Sequence, residues 1–134
     1  MMKKFLVVTL LTLLLSNLCR FNLPWWTITP IAALVTLLLP LGNGFVAFLS
    51  GLLAGLLSWG LNAFLINTAN GGVFAGKMGQ LFQGLSSSEL VYVTALLGGL
   101  LAAFGALTGQ WARALTTKEA QGKYYYRKRR RYGR

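Results

Sequence analysis

Side chains able to make or break bonds are scarce in this 134-residue sequence. It has no His and no Asp, and its acids are Glu89 and Glu119. Its one thiol is Cys19. Paired-carboxylate catalysis needs two acids in one site. Glu119 lies in a basic segment, so Glu89 has no partner. A zinc site needs three or four Cys, His or carboxylate ligands, and only Cys19 and Glu89 could serve. A Ser or Cys nucleophile needs a nearby base, and the best candidate, Lys77, stands alone. No enzyme activity, metal or cofactor is therefore expected. A single Cys also excludes a disulfide framework within the chain.

Two smaller groups of residues remain. Ser86 and Glu89 form an S-x-x-E pattern ahead of an apolar run, the signature of a helix-capping box. That gives Glu89 a structural task at a helix start. Trp59, Asn62, Asn67 and Lys77 are polar or amphipathic residues within or beside apolar stretches. Such residues are functional suspects by default in a membrane, and these four are the candidate ligand-binding set. The competing reading is that Asn only joins helices together.

The elements that hold these residues follow from composition. Apolar residues make up 55% of the chain and charged residues 11%, less than half the share of a soluble domain. Of the 92 residues from Phe21 to Ala112, only Lys77 and Glu89 are charged. Two charges cannot cover the surface of a water-soluble domain of that size. The sequence predicts an all-α integral membrane protein with four transmembrane helices. A short interfacial amphipathic helix falls between helices three and four. Residues 1–112 form the transmembrane domain, and residues 113–134 a polybasic tail.

Segment one runs from about Lys4 to Cys19. Lys3-Lys4 and the apolar run after them look like a secretory signal, but no small-x-small cleavage site follows. An uncleaved first helix is expected. Thr9, Thr12, Ser16 and Arg20 form one polar stripe on it, either meeting another helix or bonding back to its own backbone. Leu23-Pro24-Trp25-Trp26 is a turn with an aromatic anchor for the headgroup region. Segment two, about Thr27 to Leu39, is short, tolerates Pro30 in its first turn and stops at Pro40. Segment three, about Phe45 to Ile66, carries two small-residue rows: Ala47, Gly51, Gly55 and Ser50, Ala54, Ser58, Asn62. Segment four, about Glu89 to Trp111, carries Gly98, Ala102, Ala106 and Ala95, Gly99, Ala103, extended by Gly105 and Gly109. Lipid offers no hydrophobic drive for helices to associate, so close backbone approach must supply much of the attraction. Segment three against segment four is the natural pairing. Between them, Val73, Phe74, Met78, Leu81, Phe82 and Leu85 recur at helical spacing against Lys77, Gln80 and Gln83. That pattern suits a helix lying in the membrane surface, with a re-entrant loop in a protein cavity as the alternative.

Topology follows from the cations. Four spans with an inside N-terminus put eleven of the thirteen Lys and Arg residues on one side, leaving only Arg20 and Lys77 outside. The tail concentrates Arg127, Lys128, Arg129, Arg130 and Arg131 among tyrosines. Such a segment is drawn to anionic lipid by about 1 kcal/mol per cation near the surface. An acidic partner subunit could also take it; nucleic acid is not expected.

Pro24 to Trp59, a Pro-terminated short helix followed by Gly51-Leu-Leu-Ala-Gly55-Leu-Leu, resembles part of two bacterial families. These are the small-molecule-binding subunits of energy-coupling-factor transporters and the cell-shape membrane protein that accompanies the actin-like rod machinery. The first resemblance implies a transport component, the second a structural one; no site residues are carried across. The layout is also similar to that of small bacterial inner-membrane proteins. The function expected is that of an inner-membrane accessory or scaffold subunit, packing through its Gly/Ala faces against itself or other membrane subunits. The alternative is a small-molecule-binding component of a transporter. The expected location is the bacterial inner membrane, multi-pass, with both termini cytoplasmic.

Overall fold

The computed structural model describes residues 2–19 and 22–117, and the described chain is helical. Helix α1 spans Met2–Cys19, α2 Ile28–Leu38, α3 Gly44–Ala69, α4 Val73–Leu81 and α5 Ser87–Thr116. A single 3-10 turn, Trp25–Thr27, precedes α2. Three helices, α1, α3 and α5, are long and apolar enough to cross a membrane.

Burial runs opposite to that of a water-soluble bundle. The interior is built largely of Ala, Gly, Ser and Thr, with Val8, Ile28, Val35 and Leu41 the only large apolar residues among those fully buried. Leu10, Leu14, Leu34, Leu49, Leu61 and Leu96 all face outward. Hydrocarbon on the outside and backbone-to-backbone packing within is what a lipid solvent permits and water does not.

The helices alternate in direction. Thr9 of α1 meets Ser50 and Ser16 meets Ser58, so α1 and α3 run parallel. Gly51 lies against Ala102 and Gly55 against Gly98, so α3 and α5 run antiparallel. Gly105 lies on Thr29 and Gly109 on Ala33, so α2 runs with α5. Val8 of α1, Val35 and Leu41 of the α2 segment and Ala47 of α3 close one end in a common cluster, against which Phe5 packs. Gln110 and Arg113 of α5 reach Leu41 and Leu37 there. The start of α1 and the end of α5 thus share one end of the bundle.

Local sequence explains the boundaries. Pro24 leads into the 3-10 turn ahead of α2, and Pro30 falls in the first turn of α2, where its missing N–H is not needed. After Leu38 the chain turns through Pro40 and Gly42, whose φ of +79° favours glycine. Asn43 then caps α3 by accepting from Phe45 N–H at 3.0 Å. Ser86 and Glu89 make the reciprocal capping box at the start of α5.

Element lengths differ from those expected. Helix α2 has 11 residues, about 17 Å at 1.5 Å per residue, well short of a hydrocarbon core of about 30 Å. Prolines set that length from both sides. Helices α3 and α5, with 26 and 30 residues, are longer than the spans expected. Arg113, expected at the start of the tail, sits on the last turn of α5. A short helix, α4, does form between α3 and α5, but its apolar face is largely unpacked: Val73, Phe74 and Leu81 are 60%, 62% and 79% exposed.

Candidate functional site

The small residues singled out by sequence divide between two helix contacts. Ala47, Gly51, Gly55 and Ser58 on α3 are buried, as are Gly98 and Ala102 on α5. A Cβ at Gly51 would overlap the Ala102 carbonyl, and one at Gly55 the Gly98 carbonyl. Gly105 and Gly109 turn to the other side of α5, where Thr29 and Ala33 carbonyls of α2 occupy the space a side chain would need. Both rows are therefore covered inside the chain. At these positions α3 and α5 pack on each other, the pairing expected between segments three and four.

Helix α1 is joined to α3 by polar side chains. Thr9 Oγ1 and Ser50 Oγ lie 3.1 Å apart, and Ser16 Oγ and Ser58 Oγ 2.8 Å apart. Asn17 Nδ2 donates to Ser58 Oγ at 3.3 Å and to the Leu13 carbonyl at 2.9 Å. Asn62 Nδ2 donates to Asn17 Oδ1 at 2.8 Å and to the Ser58 carbonyl at 2.6 Å. Both readings of the polar stripe hold at once, because Thr9, Thr12 and Ser16 also donate back to Phe5, Val8 and Leu13 carbonyls. Arg20, the fourth stripe member, lies outside the described residues.

The seam ends at a cavity of about 510 Å³, within the usual size of a small-molecule site. Four regions wall it: Ser16 and Cys19 at the end of α1, Leu23, Pro24, Trp25, Thr27 and Ile28 around the start of α2, the second half of α3, and the first turns of α5. Phe74 and Ala75 of α4 complete it. It lies where α3 and α5 extend past the end of α1, beside Trp59, which is set against Gly98. Trp25 packs edge-on to Trp59, with ring centroids 6.3 Å apart and planes at 71°.

Of the candidate ligand residues, the structure brings Trp59, Asn62 and Asn67 together on the cavity wall. Lys77 is not with them; it is exposed on α4. Asn67 Oδ1 accepts from Ser87 Oγ at 2.9 Å, tying α3 to the start of α5. No charged side chain among the described residues lines the cavity, and no group of His, Cys, Asp or Glu among them could hold a metal.

Several residues escaped the sequence reading. Gln110 is buried and accepts from Leu41 N–H at 2.9 Å, satisfying a backbone group just past α2. Thr36 is buried and donates to Ala32 and Ala106 carbonyls at 2.8 and 2.9 Å. Asn17 is the centre of the α1–α3 seam. The signal for Gln110 was a lone Gln in the small-residue face of an apolar helix. Arg127, Lys128, Arg129, Arg130 and Arg131 lie outside the described residues.

No family model matches the chain, and no curated protein and no solved structure matches it.

Proposed function

We propose that this chain is the small-molecule-binding component of a membrane system such as a transporter. The cavity carries that reading: it gathers Trp59, Asn62 and Asn67 from an otherwise apolar surface, with unspent amide groups on its wall. A few placed polar groups in a mostly apolar concavity is the usual form of a ligand site.

The reading includes four passes, with α2 as a short second crossing. The alternating directions of α1, α2, α3 and α5 support it, as does the shared end of α1 and α5. Lys3, Lys4, Arg113 and the basic tail then face the cytoplasm of a bacterial inner membrane. Helix α4 lies in the opposite surface, its exposed apolar residues toward lipid and Lys77 toward water. The tail rests on anionic headgroups.

Two experiments test this. A fluorescent protein fused after Arg134 should glow in the cytoplasm, and an active periplasmic alkaline phosphatase fusion there would remove the four-pass topology. Native mass spectrometry of the full chain in mild detergent should show a retained small molecule, lost when Ala63→Trp fills the cavity. A fixed protein partner with no small molecule, unaffected by Ala63→Trp, would return the accessory-subunit reading instead.

A further inference from the structure

An Asn side chain carries an acceptor and a two-proton donor that can exchange places by rotation, so its orientation must come from its neighbours. For Asn62 the neighbours decide it; Asn67 faces a hydroxyl, which can donate or accept, and is taken in the orientation the structure shows. Backbone carbonyls only accept. The Ser58 carbonyl therefore holds Asn62 with Nδ2 toward it, and the second Nδ2 proton is spent on Asn17 Oδ1. Asn17 is fixed in turn by the Leu13 carbonyl. Both Asn62 donors are used, and Oδ1 is left without a partner among the described residues. Asn67 has the opposite arrangement. Its Oδ1 takes the Ser87 hydroxyl proton, leaving Nδ2 unused. No buried side-chain polar atom among the described residues lacks a partner. Asn62 Oδ1 and Asn67 Nδ2 are thus both accessible, on residues that line the cavity.

Five residues separate the two amides on α3, about 7.5 Å along the helix axis. On the same wall, the Trp25–Trp59 pair offers an apolar aromatic surface.

We propose that the cavity selects an uncharged, compact aromatic or heteroaromatic molecule with a hydrogen-bond donor at one end and an acceptor at the other. The ligand's donor goes to Asn62 Oδ1, its acceptor to Asn67 Nδ2, and its ring to the tryptophan surface. The described wall has no charge to neutralise an ion, and an ion left unpaired there bears its full desolvation cost. This assignment rests on the binding reading above and adds the chemistry of the occupant.

The test uses the full chain in lipid nanodiscs with five para-substituted benzenes, read by ligand-observed NMR. Para-hydroxybenzamide carries both groups. Para-methylacetophenone lacks any donor, and para-cresol the carbonyl acceptor. Para-hydroxybenzoate is anionic, and para-xylene has no polar group. Only signal abolished by Ala63→Trp counts as cavity binding. Para-hydroxybenzamide should bind about tenfold more tightly than either neutral analogue lacking one group, the worth of one well-placed hydrogen bond. Asn67→Asp keeps an acceptor for Ser87 but replaces the cavity-facing donor by an acceptor. It should erase the preference for para-hydroxybenzamide over para-cresol. If para-xylene or para-hydroxybenzoate binds as tightly as para-hydroxybenzamide, and Ala63→Trp blocks it, the cavity is a binding site but the donor–acceptor assignment is wrong. If no probe shows binding sensitive to Ala63→Trp, the binding reading fails with it. The wild-type ranking stands without the Asn67 variant, should that variant not fold.

Discussion

Helix α3 meets its two long neighbours through different chemistry. Toward α5 it presents Gly51 and Gly55, and the partner answers with Gly98, Gly99 and Ala102, so backbone meets backbone. Toward α1 it presents Ser50, Ser58 and Asn62, answered by Thr9, Ser16 and Asn17. One contact depends on the absence of side chains and the other on their hydrogen bonds. In lipid both routes are open, because neither needs a hydrophobic drive. They differ in tolerance. A hydroxyl seam loses a few hydrogen bonds when one residue changes, but a backbone contact has nowhere to put an added side chain.

That contrast orders the expected effects. Gly55→Leu should be the most damaging. Its new side chain meets the Gly98 backbone, which cannot swing aside as a flexible side chain could. Overpacking of this kind costs about 3 kcal/mol or more. Reversible unfolding in mixed micelles should show loss of the folded species, and a normal unfolding midpoint would break the comparison at its strongest point. Gln110→Leu comes next. It leaves the buried Leu41 N–H without its acceptor, for a loss of about 1–3 kcal/mol. Stability equal to wild type would show that water reaches that N–H. The hydroxyl seam should give less. A double-mutant cycle on Ser16→Ala and Ser58→Ala should return a coupling of about 0.6 kcal/mol, the average for hydrogen bonds between membrane helices. A coupling as large as the Gly55→Leu effect would erase the distinction between the two contacts. Leu53→Ile sits on the exposed face of α3 and should shift stability by less than about 0.5 kcal/mol.

Much of the architecture was legible from local features. The apolar runs located α1, α3 and α5, Pro24 and Pro40 framed α2, and the Ser86–Glu89 box marked the start of α5. The glycine and alanine rows showed that close packing would occur on α3 and α5. They led to the α3–α5 pairing but not to α2 as a second neighbour of α5, because spacing defines a face and says nothing of what covers it. Gly105 and Gly109 read as an extension of one face, yet they lie a fraction of a turn away and meet α2 instead of α3. Thr36 illustrates a second limit. A threonine in an apolar helix bonds back to its own carbonyls whether or not it also reaches another helix. The cavity was least legible. It lies past the end of α1 and beside Trp59, which is set against Gly98, both relations between distant segments. Trp59, Asn62 and Asn67 could be named as polar residues in an apolar setting; that Lys77 stands apart from them could not.

The glycine and alanine contact also has an entropic side. Gly and Ala side chains have no rotamers to lose, whereas ordering Asn, Leu or Gln costs rotamer freedom. Along the Gly51–Gly55 stretch, docking α5 on α3 therefore immobilises little beyond the helices themselves, although Trp59, Leu56 and the Phe48–Phe104 pair are ordered elsewhere in the contact. Docking α1 freezes Asn17 and Asn62 into single orientations. Along that stretch the α3–α5 pair assembles with the least conformational loss. It gives the remaining helices a finished surface on which the more exacting amide geometry can then be set.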